Sequence, residues 1–308
     1  MATSASDAVP QWEQLPHAFA RLADGICLHY VDTGASASST SVPVVLLHGW
    51  PDVGFGWRHQ LAALAAKYRV IVPDMRGFGQ SSAPAEASAY GSKNVTSDLA
   101  KLLDILQIDK AVFIGHDYGA TMSWRMCLYY PERVAAVCSF AYLKLLGESE
   151  TTAQKLAKAP KRFFNAVFHH TTEIPGDLAR LIENVENGSD ARYTEPSALL
   201  SGDELEYYVR QVSRTTGGFL GGCRYYGQWQ RDFEAELTLP REIPHEALFI
   251  ATTRSKGDDP AQQQMAPGMS QLIPKLETKV VHEAGHWVLW EKKGEITTML
   301  LAWLERVN

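Results

Sequence analysis

The chain has 308 residues, 45% hydrophobic and 21% charged, with 29 Lys and Arg against 35 Asp and Glu for a net charge of −6. This is the composition of a globular protein able to bury a sizeable core. The mildly acidic balance argues against nucleic acid or an anionic membrane surface as a partner, and without an apolar run of about 20 residues no membrane span is expected.

The first residues, MATSASDAVPQWEQ, have neither the basic start nor the apolar centre of a secretion signal. Four cysteines, Cys27, Cys127, Cys138 and Cys223, are scattered without metal or redox spacing, so free thiols in a reducing, cytoplasmic setting are expected. The sequons at Asn94 and Asn187 then read as chance matches. In chain order, a β-branched run predicts a buried strand over 43–47, and helical spacing predicts a helix over 58–68. A second strand over 68–77 is closed by Pro73, Asp74 and Gly77. Residues 97–108 form an amphipathic helix with Ser97 or Thr96 as its N-cap. A strand and turn over 110–120 lead into a helix over 121–130 that Pro131 stops, and 134–143 is again a strand. Strands over 246–253 and 277–286 and a helix over 294–307 close the chain.

Strand and helix alternating in this way imply an α/β protein with a mostly parallel sheet and helices on both faces. The rhythm breaks between about Gly147 and Leu239, where the pattern is helical, polar and aromatic. The division expected is a core of 1–145 with 240–308 and a helical cap of 146–239.

Three short segments carry the chemistry. In Gly115-His116-Asp117-Tyr118-Gly119-Ala120 a strand turns sharply into a helix with Asp117 at the apex, the pattern of a nucleophile elbow. A tight turn leaves no room for side chains at the flanking glycines. A carboxylate displayed there can attack a saturated carbon and form an alkyl ester; it could also simply cap the helix. His48-Gly49-Trp50-Pro51-Asp52 follows the first strand. Its Trp50 N–H, with that of Tyr118, is placed to form an oxyanion hole, and Trp50–Pro51 is a candidate cis bond. Gly285-His286-Trp287 follows the last strand and offers His286 as the base that activates water. Asp258 and Asp259, after the preceding strand, are the two candidates for orienting its imidazole, with Asp258 preferred. His282-Glu283-Ala284-Gly285-His286 also matches H-E-x-x-H. A zinc site of that type needs a helix, and the residues before it read as a strand.

These motifs, with Pro73-Asp74-Met75-Arg76-Gly77-Phe78-Gly79, resemble the epoxide hydrolase branch of the α/β-hydrolase superfamily, a near neighbour of the haloalkane dehalogenases. The resemblance runs from about Phe19 to the end. It implies an α/β-hydrolase fold with a helical cap, and opening of an apolar epoxide by Asp117 without a metal or organic cofactor. It also implies cap tyrosines that protonate the epoxide oxygen. Tyr226 matches one of them, with Tyr225 as its neighbour. The other should lie within 161–170, where Phe164 holds the slot; His169, His170, Tyr193 or Tyr207 are the substitutes. His48, Phe164, His169, Tyr225 and Trp287 are expected to border the substrate, and a monomer or homodimer is expected. Dehalogenation by the same nucleophile, or ligand reception without catalysis, are the alternatives.

Overall fold

In a computed structural model, the structure describes residues 8–34, 41–140, 150–168, 178–188, 195–253 and 268–308. Eight strands form one sheet: β1 (His17–Arg21), β2 (Cys27–Asp32), β3 (Val44–Leu47), β4 (Val70–Pro73), β5 (Ala111–Gly115), β6 (Val134–Phe140), β7 (Glu246–Thr253) and β8 (Leu276–His282). Their order is β1-β2-β4-β3-β5-β6-β7-β8. β1 and β2 run antiparallel, as do β2 and β4; every other pair is parallel. β3, β4 and β5 are buried along their whole length, which is why they read as unbroken apolar runs: parallel strands are covered on both faces.

The helices among the described residues are α1 (Ala8–Glu13), α2 (Arg58–Ala65), α3 (Ser92–Ile105), α4 (Tyr118–Tyr129), α5 (Glu150–Lys158), α6 (Pro160–Val167), α7 (Leu178–Asn187), α8 (Gly202–Arg214), α9 (Leu220–Tyr226), α10 (Trp229–Glu236), α11 (Val288–Glu291) and α12 (Lys293–Val307). α2 packs against α12, and α3 against α4. α5 to α10 all fall between β6 and β7 in the chain. No helix among the described residues is long and apolar enough to cross a membrane.

Three local expectations are revised. α1, β1 and β2 add to the expected elements; their apolar positions are few and interrupted by His17, His29 and Arg21, which hides their periodicity. α3 begins at Ser92, five residues before the expected start. Neither Ser97 nor Thr96 caps it; the Thr96 hydroxyl donates to the Ser92 carbonyl one turn back (2.8 Å). The cap is tertiary: the Asp232 carboxylate of α10 accepts the Ser92 N–H (2.8 Å) and hydroxyl (2.6 Å). β8 ends at His282, and the chain turns there, so His286 sits in a loop rather than on the strand.

Because the central strands are parallel, the loops after β3, β5 and β8 leave the same edge of the sheet. In open α/β sheets that edge is where ligands bind. It brings His48–Asp52, Asp117 and His286 within reach of one another.

Candidate active site

Between β5 and α4 the backbone at Asp117 adopts φ +54° and ψ −120°, a conformation residues with a Cβ rarely accept. The turn is held by backbone bonds from His116 N–H to the Leu47 carbonyl (3.0 Å) and from Gly119 N–H to the His116 carbonyl (2.9 Å). A Cβ on Gly115 would lie 2.2 Å from the Gly119 oxygen, and one on Gly119 2.2 Å from the Leu47 oxygen. Asp117 stands at the N-cap position, yet its side chain makes no capping bond. The fully buried carboxylate points across the turn. Its Oδ1 accepts the Trp50 N–H (2.9 Å), a charge-assisted bond, and its Oδ2 lies 3.4 Å from His286 Nε2. Tyr118 opens α4, so its N–H belongs to the first turn, where donors lack intrahelical acceptors.

The Trp50 loop comes this close because residue 49 is glycine; a Cβ there would lie 2.3 Å from Asp117 Cβ. Trp50–Pro51 is cis. His48, expected to border the substrate, is buried with both its ring nitrogens engaged. Its Nδ1 donates to the Gly49 carbonyl (2.8 Å) and its Nε2 accepts the Met75 N–H (3.0 Å), so the ring braces two loops. Further along, Asp52 is buried and its pKa is pushed up to about 7 by loss of solvent. Its Oδ1 accepts the Tyr208 hydroxyl (2.8 Å) and the Val53 N–H (2.7 Å). Tyr208, which links α8 to this loop, carried no signal in the sequence.

His286 is held from both sides. The Glu291 carboxylate accepts the N–H groups of Gly285 (3.0 Å) and Trp287 (3.1 Å), the two residues flanking it. His116 Nε2 donates to the His286 carbonyl (2.7 Å), and the two rings stand 4.8 Å apart. Burial pushes His116 down to about 4. Burial first, and then the neighbouring His116, hold His286 well below the ordinary imidazole range. His116 is therefore neutral near pH 7, and the same burial favours the uncharged imidazole at His286. His286 Nδ1 is buried and has no hydrogen-bond partner among the described residues. Asp258 and Asp259, the expected orienting acids, lie outside the described residues. His282, the other histidine of the H-E-x-x-H match, ends β8 with its Nδ1 at 3.0 Å from Thr253 Oγ1; the two histidines share no helix.

The inserted helices cover these groups. Tyr226 of α9 meets the Trp50 ring edge-on at 6.0 Å and the Tyr118 ring at 5.7 Å. It therefore packs on Trp50, whose N–H reaches the carboxylate, and on Tyr118, the residue after it. Tyr225 does not face the same way: its hydroxyl donates to the Arg76 carbonyl (2.9 Å) and its ring packs on Tyr118. Phe164 of α6 packs among Phe163, Phe168, Phe219 and Tyr208. With Trp50, Gln211 and Tyr208 it lines a narrow cavity of about 20 Å³. Trp287 turns its indole N–H to the Val167 carbonyl of α6 (2.6 Å), with its ring 4.7 Å from that of His286. Tyr207 packs on Phe55 at 4.4 Å, while its neighbour Tyr208 reaches Asp52. His169, His170 and Tyr193 lie outside the described residues.

α9 can lie this low because it carries Gly221 and Gly222. A Cβ on Gly222 would be 2.0 Å from Trp50 Cδ1, and one on Gly221 would be 2.6 Å from the Gly77 Cα. Gly222→Ala is expected to displace the Trp50 indole, to cost about 1–3 kcal/mol in stability, and to lower kcat by about tenfold or more as the Trp50 N–H shifts. Thermal unfolding and steady-state kinetics on the same preparation check both; unchanged kcat would show that the indole and the N–H move independently.

The family described as "alpha/beta hydrolase fold" matches residues 42–293 of the chain. Epoxide hydrolase A of Mycobacterium tuberculosis is 32% identical, over 92% of this chain and 96% of that protein. Bifunctional epoxide hydrolase 2 of the mouse is 30% identical over 94% of this chain, which spans only 55% of that longer protein. Among solved structures, epoxide hydrolase A from Mycobacterium thermoresistibile superposes with a TM-score of 0.78 at 28% identity, covering 95% of this chain and 98% of that one.

Proposed function

This chain belongs to the alpha/beta hydrolase fold family, and from that premise we propose that it opens an apolar organic epoxide with water to give a vicinal diol. One observation carries the reading: the buried Asp117 carboxylate caps nothing and is aimed between the Trp50 N–H and His286 Nε2. The relatives named as epoxide hydrolases support the substrate class.

The reaction runs in two stages. The substrate sits between the sheet edge and a lid formed by the helices of 146–239, the core being 1–145 with 240–308. Asp117 attacks a ring carbon in line. The C–O bond breaks, its electron pair goes to the ring oxygen, and the Tyr226 phenol donates the proton. The second donor is assigned to one of His169, His170 and Tyr193, since Tyr207 faces Phe55. In the second stage His286 Nε2 takes a proton from water, and the hydroxide adds to the ester carbonyl carbon. The N–H groups of Trp50 and Tyr118 hold the oxyanion. Collapse expels the diol oxygen, which recovers the proton from His286, and the proton left on the Asp117 carboxyl returns through solvent to the Tyr226 phenolate, restoring both groups. Asp258 or Asp259 accepts the Nδ1–H and orients the ring. These steps use only side chains, backbone N–H groups and water.

Dehalogenation needs an N–H or O–H directed at the departing halide. The phenol of Tyr118, next to the nucleophile, has one proton, and that proton is engaged by the Tyr225 carbonyl (3.0 Å).

The test is a single turnover with enzyme in excess over an aryl-substituted epoxide in ¹⁸O-water. The diol should carry no solvent oxygen, and the label should appear in the peptide containing Asp117. Label in the first-turnover diol would mean that water attacks the ring directly, and no diol from any epoxide tried would overturn the substrate class.

A further inference from the structure

β8 ends the sheet, and no strand among the described residues pairs with its far side. The Ala247 N–H of β7 donates to the Lys275 carbonyl, just before β8 (3.2 Å). Backbone groups of successive strand residues point to alternate sides, so residues 275, 277, 279 and 281 turn theirs to β7. The N–H and C=O groups of Leu276, Thr278 and Val280 therefore face outwards. Thr278 and Val280 are exposed, and Leu276 is half-buried.

A free strand edge is a template for another strand, and proteins commonly blunt it with a proline, a bulge, a run of charge or a very short strand. β8 is seven residues long, contains no proline and pairs with β7 in unbroken register. Its two charges, Glu277 and Lys279, are of opposite sign and lie 3.4 Å apart. They do not give the edge a repelling charge of one sign.

An isologous contact sets residue i of one copy against j of the other, and j against i. For β8 against itself this means antiparallel pairing, and the registers differ in what they oppose. A centre at Glu277 or at Lys279 sets that charge against itself. A centre at Val280 sets Lys279 against Val281. A centre at Thr278 sets Glu277 against Lys279 twice and Leu276 against Val280 twice. Opposite charges and apolar pairs across strands are stabilising, and like charges are destabilising. The same centre uses the outward N–H and C=O of Thr278, which make a hydrogen-bonded pair.

We propose that the free edge of β8 is a homodimer interface, in which two copies of this chain join their sheets antiparallel about a two-fold axis at Thr278. Glu277 of each copy then lies beside Lys279 of the other. Arg306 of α12 already pairs with Glu277, so each carboxylate sits between a cation of its own helix and one of the second copy. The contact closes on itself and stops at two copies. It uses neither Asp117 nor His286, and it holds whatever the substrate is.

Sedimentation velocity of the full chain tests it, over protein concentrations of about 1–200 µM. A reversible dimer should form with a Kd of about 1–100 µM. Thr278→Pro removes an N–H that points away from β7, so the β7–β8 ladder is spared. That variant should keep the wild-type Tm and raise the dimer Kd at least about tenfold. Lys279→Glu sets glutamate against Glu277 and should weaken the dimer as much. Adding Glu277→Lys exchanges the two charges and should bring the Kd back to within about threefold of wild type. If Thr278→Pro fails to fold, the charge variants decide alone. A chain that stays monomeric throughout would leave the edge to an extended segment of another protein and overturn the proposal. So would a dimer that folded Thr278→Pro leaves unchanged, or a charge exchange that does not restore it.

Discussion

Asp117→Asn is expected to lower kcat for epoxide opening by at least about 10³-fold while leaving the fold intact. An amide oxygen is a far poorer nucleophile than a carboxylate, and removing the group that makes the covalent bond removes the first stage altogether. The variant should fold because asparagine keeps the shape. Its Oδ1 can still accept the Trp50 N–H that now reaches Asp117 at 2.9 Å. Among residues with a Cβ, asparagine is also one of those that best tolerate a positive φ such as the +54° at this position. Diol formation, read before the amide can hydrolyse and with the mass of the peptide checked, measures the loss. Wild-type initial rates from an intact asparagine would remove Asp117 from the mechanism.

His286→Gln should divide the two stages. Alkylation of Asp117 needs no base, so the ester forms; its hydrolysis needs His286, so the ester accumulates. Turnover is expected to fall by about 10³-fold, and intact-protein mass spectrometry should find one epoxide added per chain, on the peptide containing Asp117. The loop should hold its course, because Glu291 and His116 grip the backbone at residues 285, 286 and 287 rather than the imidazole. Loss of turnover without any adduct would place His286 in the first stage instead, and unchanged turnover would require another base.

Both variants depend on how tightly the site is braced by groups that do no chemistry. His48 joins the Trp50 loop to Met75. His116, beside the nucleophile, holds the backbone of the base. Tyr208 joins α8 to Asp52 at the end of the same loop. Such contacts explain how a strained backbone at Asp117 persists: the surrounding bonds over-determine it.

The parts of this protein that its sequence determines by itself are those set by short-range sterics and by periodicity. The strand–helix rhythm from residue 43 to 140 and from 246 to the end is legible because parallel strands are buried on both faces and read as apolar runs. The elbow is legible because Gly115 and Gly119 answer to the tight turn itself and to one neighbouring segment, residues 47–50 after β3. Trp50, Asp117 and His286, far apart in the chain, could be grouped because each follows a strand of one parallel sheet, and such strands end at one edge.

The rest is decided only in three dimensions. The start of α3 depends on Asp232, 140 residues further on. Which of two adjacent tyrosines meets a partner is a matter of helix rotation: Tyr208 and not Tyr207 reaches Asp52, and Tyr225 donates to the Arg76 carbonyl while Tyr226 packs over Trp50 and Tyr118. Neighbours on a helix point about 100° apart, so composition alone cannot choose between them. The bracing by His48 is likewise tertiary: one ring nitrogen meets the carbonyl of its own neighbour Gly49, but the other is engaged by the Met75 N–H, 27 residues further on. The Nη groups of Arg58, buried and without a hydrogen-bond partner among the described residues, have no signature along the chain at all, since the lack of an acceptor is a property of the surrounding space and not of the residue.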